Sequence, residues 1–193
     1  MPSSPASDKR QHVVETAYAL FKRAGFHATG IDRIIAEADV AKMTMYRHFP
    51  SKDDLIVEVL DYRARRFDRQ LDRLAEEGGT PEQKIKKIFD WHERWFRSED
   101  FHGCLFAHAL AEFGDPQHPV FKAVARQKNG LRLRMRQILT DAMPRGQAES
   151  VAAALLMLIE GATLMAQMGQ VDAAVRAARK AGLGLIAASR RPQ

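Results

Sequence analysis

The sequence predicts an all-α fold of about nine helices, and three observations lead to this prediction. Apolar residues recur every three or four positions along most of the 193 residues, which is the spacing of one helix face. No segment alternates apolar and polar residues as a half-buried strand does. Glycine and proline fall between the periodic segments, where they end one helix or begin the next.

The amino-terminal part predicts a short tail followed by one long helix. Residues 1–7 are rich in serine and proline and present no apolar face, so we expect them to be disordered. Apolar residues recur at helical spacing from Val13 to Ala24, which predicts a first helix over about residues 8–24. Gly25 follows, and glycine readily takes the left-handed conformation that ends a helix.

Two short helices joined by a tight turn are predicted between Thr29 and Lys52. Thr29 precedes the apolar face of the first helix and is expected to cap it. The second helix, over residues 41–48, turns Met45 inward and leaves a basic, hydroxylated and aromatic set: Lys42, Met43, Thr44, Tyr46, Arg47 and His48. Such side chains contact the phosphates and base edges of B-DNA, whose major groove admits a helix. An ordinary solvated helix is the other interpretation of this set.

Six further helices are predicted after this motif, each with an apolar face. We expect them at about residues 52–77, 81–97, 104–113, 118–143, 147–168 and 171–189. Gly78 and Gly79 end the first of them, and Thr80 and Pro81 suit the cap and first turn of the next. The last two helices are rich in alanine and glycine, and small residues let helices approach closely, within a monomer or across a dimer.

Charge and cysteine content favour a polyanionic partner and a reducing compartment. The formal net charge is +6 and the sequence pI about 9.7. Cys104 is the single cysteine, so no intrachain disulfide can form. Nothing at the amino terminus resembles a signal peptide, and the apolar run over residues 151–159 is too short to span a membrane. We therefore expect a soluble, cytoplasmic protein without a membrane partner.

The run V-A-K-M-T-M-Y-R-H-F-P-S-K over residues 40–52 resembles the helix-turn-helix signature of the TetR (TetR/AcrR) family of bacterial transcriptional repressors. Residues 24–40 are also similar to that family. The resemblance implies a DNA-binding domain over residues 8–52 and a ligand-binding and dimerisation domain over residues 53–193. It further implies a homodimer, paired through the two C-terminal helices, that binds a palindromic operator on double-stranded DNA and is released by a small-molecule effector.

Carried over position by position, the resemblance implies DNA contacts from Thr29, Lys42, Met43, Thr44, Tyr46, Arg47, His48 and Lys52. Phosphate contacts are implied for Thr29, Tyr46, His48 and Lys52. Residues 42–44 would face base edges, and Arg47 would contact either. Ala41 stands where many members have a serine cap. Loss of that cap costs about 1 kcal/mol unless another group, such as Asp39, replaces it.

Apolar and amphipathic residues of the second half form a candidate effector pocket: Trp91, Trp95, Phe101, Leu105, His108, Glu112, Met135, Met157, Glu160, Thr163 and Met168. Apolar lining with a few polar groups is typical of small-ligand sites, although plain core packing explains the same pattern. Glu160 interrupts an apolar helix, so we expect it to be paired, at a subunit seam or in a cavity.

No enzyme, metal or cofactor is predicted. The sequence contains no glycine-rich phosphate loop, no G-x-S-x-G elbow and no H-E-x-x-H motif. A zinc or iron site from His102, Cys104, His108 and Glu112, or a redox role for Cys104, is a less favoured alternative. Two other functions are considered beside the ligand-responsive repressor: a ligand-independent activator or nucleoid-type DNA-binding protein, and a helical small-molecule carrier or enzyme.

Overall fold

The computed structural model describes residues 5–189, and these form nine α-helices and no strand, which confirms the all-α prediction. The helices are α1 (Pro5–Ala24), α2 (Ile31–Glu37), α3 (Lys42–His48), α4 (Lys52–Glu76), α5 (Pro81–Phe96), α6 (Leu105–Glu112), α7 (Pro119–Leu139), α8 (Arg145–Gln167) and α9 (Val171–Ser189). The first helix begins at Pro5, inside the predicted tail, and residues 1–4 lie outside the described residues.

The chain divides into two compact units that do not follow the chain order. The first unit contains the residues up to Arg66 together with Leu105–Ala125, and the second contains Phe67–Cys104 and the residues from Arg126 onward. Both α4 and α7 therefore continue from one unit into the other. The first unit includes α6, which sequence reasoning assigned to the second domain. The boundary after residue 52, between a DNA-binding domain and a ligand-binding domain, stays a prediction.

The first unit packs the amino-terminal helices around one apolar core. The stripe predicted for α1 lies in this core from Val13 to Phe21, whereas Ala24 at the end of the stripe is exposed. Met45 of α3 lies in the core as well. Burying a side chain of this size stabilises the folded state by about 1.5–3 kcal/mol, so Met45 fixes the inner face of α3. The wholly or almost wholly buried residues are Val13, Val14, Ala17, Phe21, Phe26, Ile34, Met45, Phe49, Leu55, Ile56, Val59 and Leu60.

The second unit is built on α5, α8 and α9, which pack against one another. Gly182 lets α9 approach its neighbours, because a Cβ there would lie 2.8 Å from the Phe89 ring and 2.9 Å from Leu155. Several of the small residues of α8 and α9 thus serve packing within the monomer: Ala152, Ala162, Ala166, Ala174, Ala178 and Gly182.

The start of α5 follows the predicted chemistry. The Thr80 hydroxyl accepts a hydrogen bond from the Gln83 amide at 3.2 Å, and the Gln83 side chain accepts one from the Thr80 amide at 2.9 Å. Pro81 occupies the first turn. This reciprocal pair satisfies two of the amide groups that a helix start leaves without partners.

The prediction that no apolar segment is long enough to span a membrane needs correction for α8. In residues 5–189, α8 is long and apolar enough to cross a membrane by length and composition alone. The sequence interpretation considered only the uninterrupted run over residues 151–159, whereas α8 is apolar on both sides of Glu160. The core helix of a soluble protein passes the same test, and eight residues of α8 are buried in the fold.

Candidate nucleic-acid interface

The outer face of α3 is the candidate interface. Met43 is 82% exposed, and Lys42, Tyr46 and Arg47 are exposed as well. Met45, on the opposite face, is wholly buried. The short helix therefore presents a basic, aromatic and thioether-bearing surface to solvent while its inner side is anchored. A helix in this state can enter the major groove without unfolding anything else.

Thr44, His48 and Lys52 are only half-exposed. The Nε2 atom of His48 is buried and has no hydrogen-bond partner among the described residues. A buried polar atom without a partner is destabilising, so His48 gains from any rearrangement that gives Nε2 a donor or acceptor. The predicted phosphate contact of His48 would require such a rearrangement.

Thr29 is not placed as predicted. Its side chain is 0% exposed, and its hydroxyl donates a hydrogen bond to the Gly25 carbonyl at 2.7 Å. Gly30, and not Thr29, is the N-cap residue of α2, and no side chain caps that helix. The Thr29 hydroxyl thus forms a hydrogen bond within the turn between α1 and α2. In this conformation it neither caps α2 nor is free to donate to a phosphate.

No side chain caps α3 either. Ala41 is its N-cap residue, and Asp39 does not replace the missing hydroxyl. Instead, Asp39 takes a left-handed backbone conformation with φ 47° in the turn between the two helices. The first amides of α3 are therefore left without a side-chain partner.

The Lys42 ammonium lies 3.4 Å from the Asp32 carboxylate of α2. Both groups are largely exposed, so the pair adds little stability. It places the charge of Lys42 beside α2 in this conformation.

Arg10 of α1 braces the end of α3, a contact that sequence reasoning missed. Its guanidinium lies 5.1 Å from the centre of the Phe49 ring and 2.6 Å from the Glu58 carboxylate. Glu58 also accepts a hydrogen bond from Arg65 at 2.8 Å. Burial alone would raise the pKa of Glu58, but the hydrogen bonds from Arg10 and Arg65 outweigh it and lower that pKa below its ordinary value.

The candidate pocket residues fall into both units. Trp91, Trp95 and Phe101 lie in the second unit, where Trp91 and Trp95 stack with ring centres 5.8 Å apart and Phe101 meets Trp95 edge-on at 4.9 Å. Leu105, His108 and Glu112 belong to α6 in the first unit. Leu105 is buried, and His108 is half-exposed.

Several pocket candidates have other roles. Met157 and Met168 are 68% and 65% exposed on the surface, where Met157 lines a shallow groove, so their place in an effector pocket stays a prediction. Met135 is wholly buried core, and the Thr163 hydroxyl donates to the Ile159 carbonyl at 2.8 Å. Helical spacing identifies a shared face but not whether that face is covered by the chain itself.

Glu160 is paired, which was one of its predicted fates. Its carboxylate lies 2.6 Å from the Lys128 ammonium, which also lies 3.4 Å from the Cys104 sulfur. Burial lowers the pKa of Lys128, but the neighbouring Cys104 and Glu160 more than offset this and raise it above its ordinary value. Over residues 5–189, no three His, Cys, Asp or Glu side chains are grouped so as to hold a metal ion.

The second unit contains a groove of about 330 Å³ that the sequence did not reveal. It has apolar walls and carries charges of both signs, including Arg134 and Asp72, whose side chains are 2.5 Å apart. Its lining residues are Leu71, Asp72, Leu74, Lys84, Ile88, Arg134, Gln137, Ile138 and Asp141.

The anchored α2–α3 pair and its exposed outer face define a helix-turn-helix DNA-binding protein. Two family models match the chain: "Bacterial regulatory proteins, tetR family" over residues 13–59, and "Tetracyclin repressor-like, C-terminal domain" over residues 81–182. The second model alone covers more than half of the chain. The chain therefore belongs to the TetR family of transcriptional regulators, which are not enzymes.

Relatives named as transcriptional regulators agree with this assignment. The transcriptional repressor KstR of Mycolicibacterium smegmatis is 35% identical over 83 residues, which are 43% of this chain and 41% of KstR. The regulator YxaF of Bacillus subtilis is 24% identical over 82% of this chain and 84% of its own length. The chain thus matches less than half of KstR but most of YxaF.

Solved structures show the same fold. SCO4454, a TetR-family transcriptional regulator of Streptomyces coelicolor, is 28% identical with a TM-score of 0.89, covering 96% of this chain and 97% of that one. A TetR-family regulator of Cytophaga hutchinsonii is 16% identical with a TM-score of 0.84 over the full length of both chains, which supports the fold alone.

Proposed function

We propose that this protein is a cytoplasmic, dimeric repressor that binds a palindromic DNA operator and is released by a small, largely apolar effector. The observation that carries the proposal is the surface of α3, where Lys42, Met43, Tyr46 and Arg47 are exposed above a buried anchor. The side chains supply ammonium, guanidinium and phenol donors for phosphates and bases, and Met43 supplies an apolar contact for a thymine methyl group.

A dimer is supported by an uncovered apolar face on α8 and α9. Five large apolar side chains are exposed there: Met157, Leu164, Met165, Met168 and Leu185. A shallow groove of about 520 Å³ is lined by two of them, Met157 and Leu185, together with small residues such as Ala154, Ala181 and Gly184. Soluble proteins rarely leave such a face uncovered, so a second copy of the chain is the proposed occupant. Two recognition helices related by two-fold symmetry would read a palindrome.

Effector binding is proposed for the second unit. Its aromatic side chains, Trp91, Trp95 and Phe101 among them, and the groove beside Arg134 both offer apolar walls with nearby polar groups. Tryptophan fluorescence distinguishes the two places, because an effector at the aromatic side chains would perturb Trp91 and Trp95 directly. An effector in the groove would instead lose affinity when Arg134 is replaced by Ala.

The experiment that tests the DNA-binding proposal is a selection of genomic fragments by the purified full chain at near-physiological salt. Recovery of a recurrent palindrome would support the dimeric reader and give the half-site spacing. Enrichment without a motif, with a steep salt dependence, would replace the repressor by the nucleoid-type alternative. Absence of any enrichment, with and without candidate effectors, would contradict the proposal.

A further inference from the structure

We propose that Glu112, at the end of α6, is a positioning residue for DNA reading: it fixes the turn that leads into α2 and α3. The inference rests on the proposed DNA-binding function and deepens it. It concerns contacts within the first unit only, and it assigns to Glu112 a role different from the effector contact that the sequence suggested.

Glu112 joins residues that are far apart in the sequence. Its Oε1 accepts a hydrogen bond from the Phe26 amide at 2.9 Å, and its Oε2 accepts one from the His27 amide at 2.5 Å. The His27 ring nitrogen Nδ1 lies 2.8 Å from the same Oε2. One carboxylate therefore satisfies two consecutive backbone amides across a separation of more than 80 residues.

The turn depends on this carboxylate chiefly through the Phe26 amide, since His27 is exposed and its amide can turn to water instead. Phe26 is wholly buried, so water does not replace the carboxylate at its amide, and a buried amide without a partner is costly. Other polar groups of the turn already have hydrogen-bond partners. The Gly25 amide donates to the Phe21 carbonyl, and the Thr29 hydroxyl donates to the Gly25 carbonyl.

The backbone at Gly25 is shaped to admit the carboxylate. Gly25 has φ +82°, a conformation that L side chains rarely adopt, and a Cβ placed on it would lie 2.9 Å from Glu112 Oε1. Glycine is therefore required here by the backbone and by the approach of Glu112 together.

Aromatic contacts hold the same end of α6. The Phe113 ring lies between two imidazoles, with ring centres 4.8 Å from His27 and 4.9 Å from His118. His118 Nε2 in turn lies 3.2 Å from the Asp53 carboxylate at the start of α4. The end of α6 thus contacts the chain before α2, and His118, stacked on Phe113, contacts the start of α4 after α3.

These contacts stabilise the turn, but α2 and α3 do not need them in order to form. Ile34, Met45 and Phe49 hold α2 and α3 on the core without help from Glu112. Loss of Glu112 should therefore leave the helices formed but free the turn that aims them. Specific binding needs the correct aim of α3 at base edges, whereas sequence-independent phosphate binding does not.

The test uses the full-length protein with Glu112→Ala and Glu112→Gln, and Glu15→Gln as the matched control. Glu15 also lies in the first unit and accepts hydrogen bonds, but only from the side chains of Gln11 and Tyr62. Two readouts are taken: the hydrogen-exchange protection of the Phe26 and His27 amides, and the affinities for the selected operator and for a scrambled duplex.

We expect Glu112→Ala to lose amide protection and about tenfold in operator affinity, with the scrambled duplex unchanged within about twofold. Glu112→Gln, which keeps one acceptor oxygen, should fall between Ala and wild type, and the control should match wild type. Unchanged operator affinity in Glu112→Ala, or an equal loss on both duplexes, would overturn the positioning role. A wild-type chain that selects no DNA sequence would instead overturn the proposed function, and the amide protection would still report the contact.

Discussion

Replacing Gly25 with alanine should destabilise the protein through two separable effects. The left-handed backbone at φ +82° costs an L residue about 1–2 kcal/mol. The new Cβ would also stand 2.9 Å from Glu112 Oε1 and push the carboxylate away from the Phe26 amide. Losing a hydrogen bond to a charged group costs about 1.5–3 kcal/mol. We therefore expect a total loss of about 2.5–5 kcal/mol in the free energy of unfolding, the sum of the two effects.

The assay is urea unfolding followed by circular dichroism at one fixed protein concentration, because a dimer's stability depends on concentration. Gly114→Ala is the control, since its Cβ would meet nothing within 4 Å and its φ is not positive. In a Glu112→Ala background, Gly25→Ala should lose only the backbone part. An equal loss in both backgrounds would refute the claim that the Glu112 carboxylate and Gly25 are coupled.

Four further outcomes are expected. Tyr46→Phe should weaken binding to all duplexes similarly, because it removes a hydrogen-bond donor to phosphate, whereas Thr44→Ala should alter the preferred bases. Competition assays measure both effects, and identical, sequence-independent losses from the two variants would refute these roles. Burial would raise the pKa of Glu112, but hydrogen bonds from the Phe26 and His27 amides and from the His27 side chain hold that pKa below its ordinary 4.5. The Glu112 carboxylate therefore stabilises the fold fully above pH 4.5, and this stabilisation is lost as the pH falls through the lowered pKa. In acid unfolding, Glu112→Gln should flatten that part of the curve, and an unchanged curve would contradict the assignment. Gly130→Ala, in the exposed interior of α7 with no atom near its Cβ, should raise stability by about 1 kcal/mol in urea, and a decrease would show a hidden contact. Met157→Asp should dissociate the dimer in sedimentation experiments, and an unchanged dimer would place the interface elsewhere.

Local patterns predicted the helices well, because each depends on residues a few positions apart. The apolar stripe of α1 up to Phe21, the inward Met45 and the Thr80 cap with Pro81 in the first turn of α5 are found as predicted, and Gln83 completes that cap. The left-handed Gly25 also agrees with its predicted role as a helix stop.

Long-range partners could not be predicted in the same way. Glu112 was expected to be one of the polar groups of an effector pocket, but its partners here are amides more than 80 residues away. Thr29 was expected to cap α2, but the turn imposed by Gly25 draws its hydroxyl inward. Met157 and Met168 share the apolar character of core residues, and only the packing of α8 shows that they face outward.

The central claim, that α3 enters the major groove, is tested most directly by cleavage of bound DNA from a reagent tethered to this helix. The protein would carry Cys104→Ala and Ala41→Cys, because Ala41 is exposed at the start of α3 and its side chain makes no cap hydrogen bond. A second protein with Glu99→Cys, at an exposed position of the second unit, is the control. We expect the reagent at position 41 to cut the major groove at two symmetric half-sites of the operator. The reagent at position 99 should not give that pattern. Dispersed cuts, or the same pattern from both positions, would contradict the central claim.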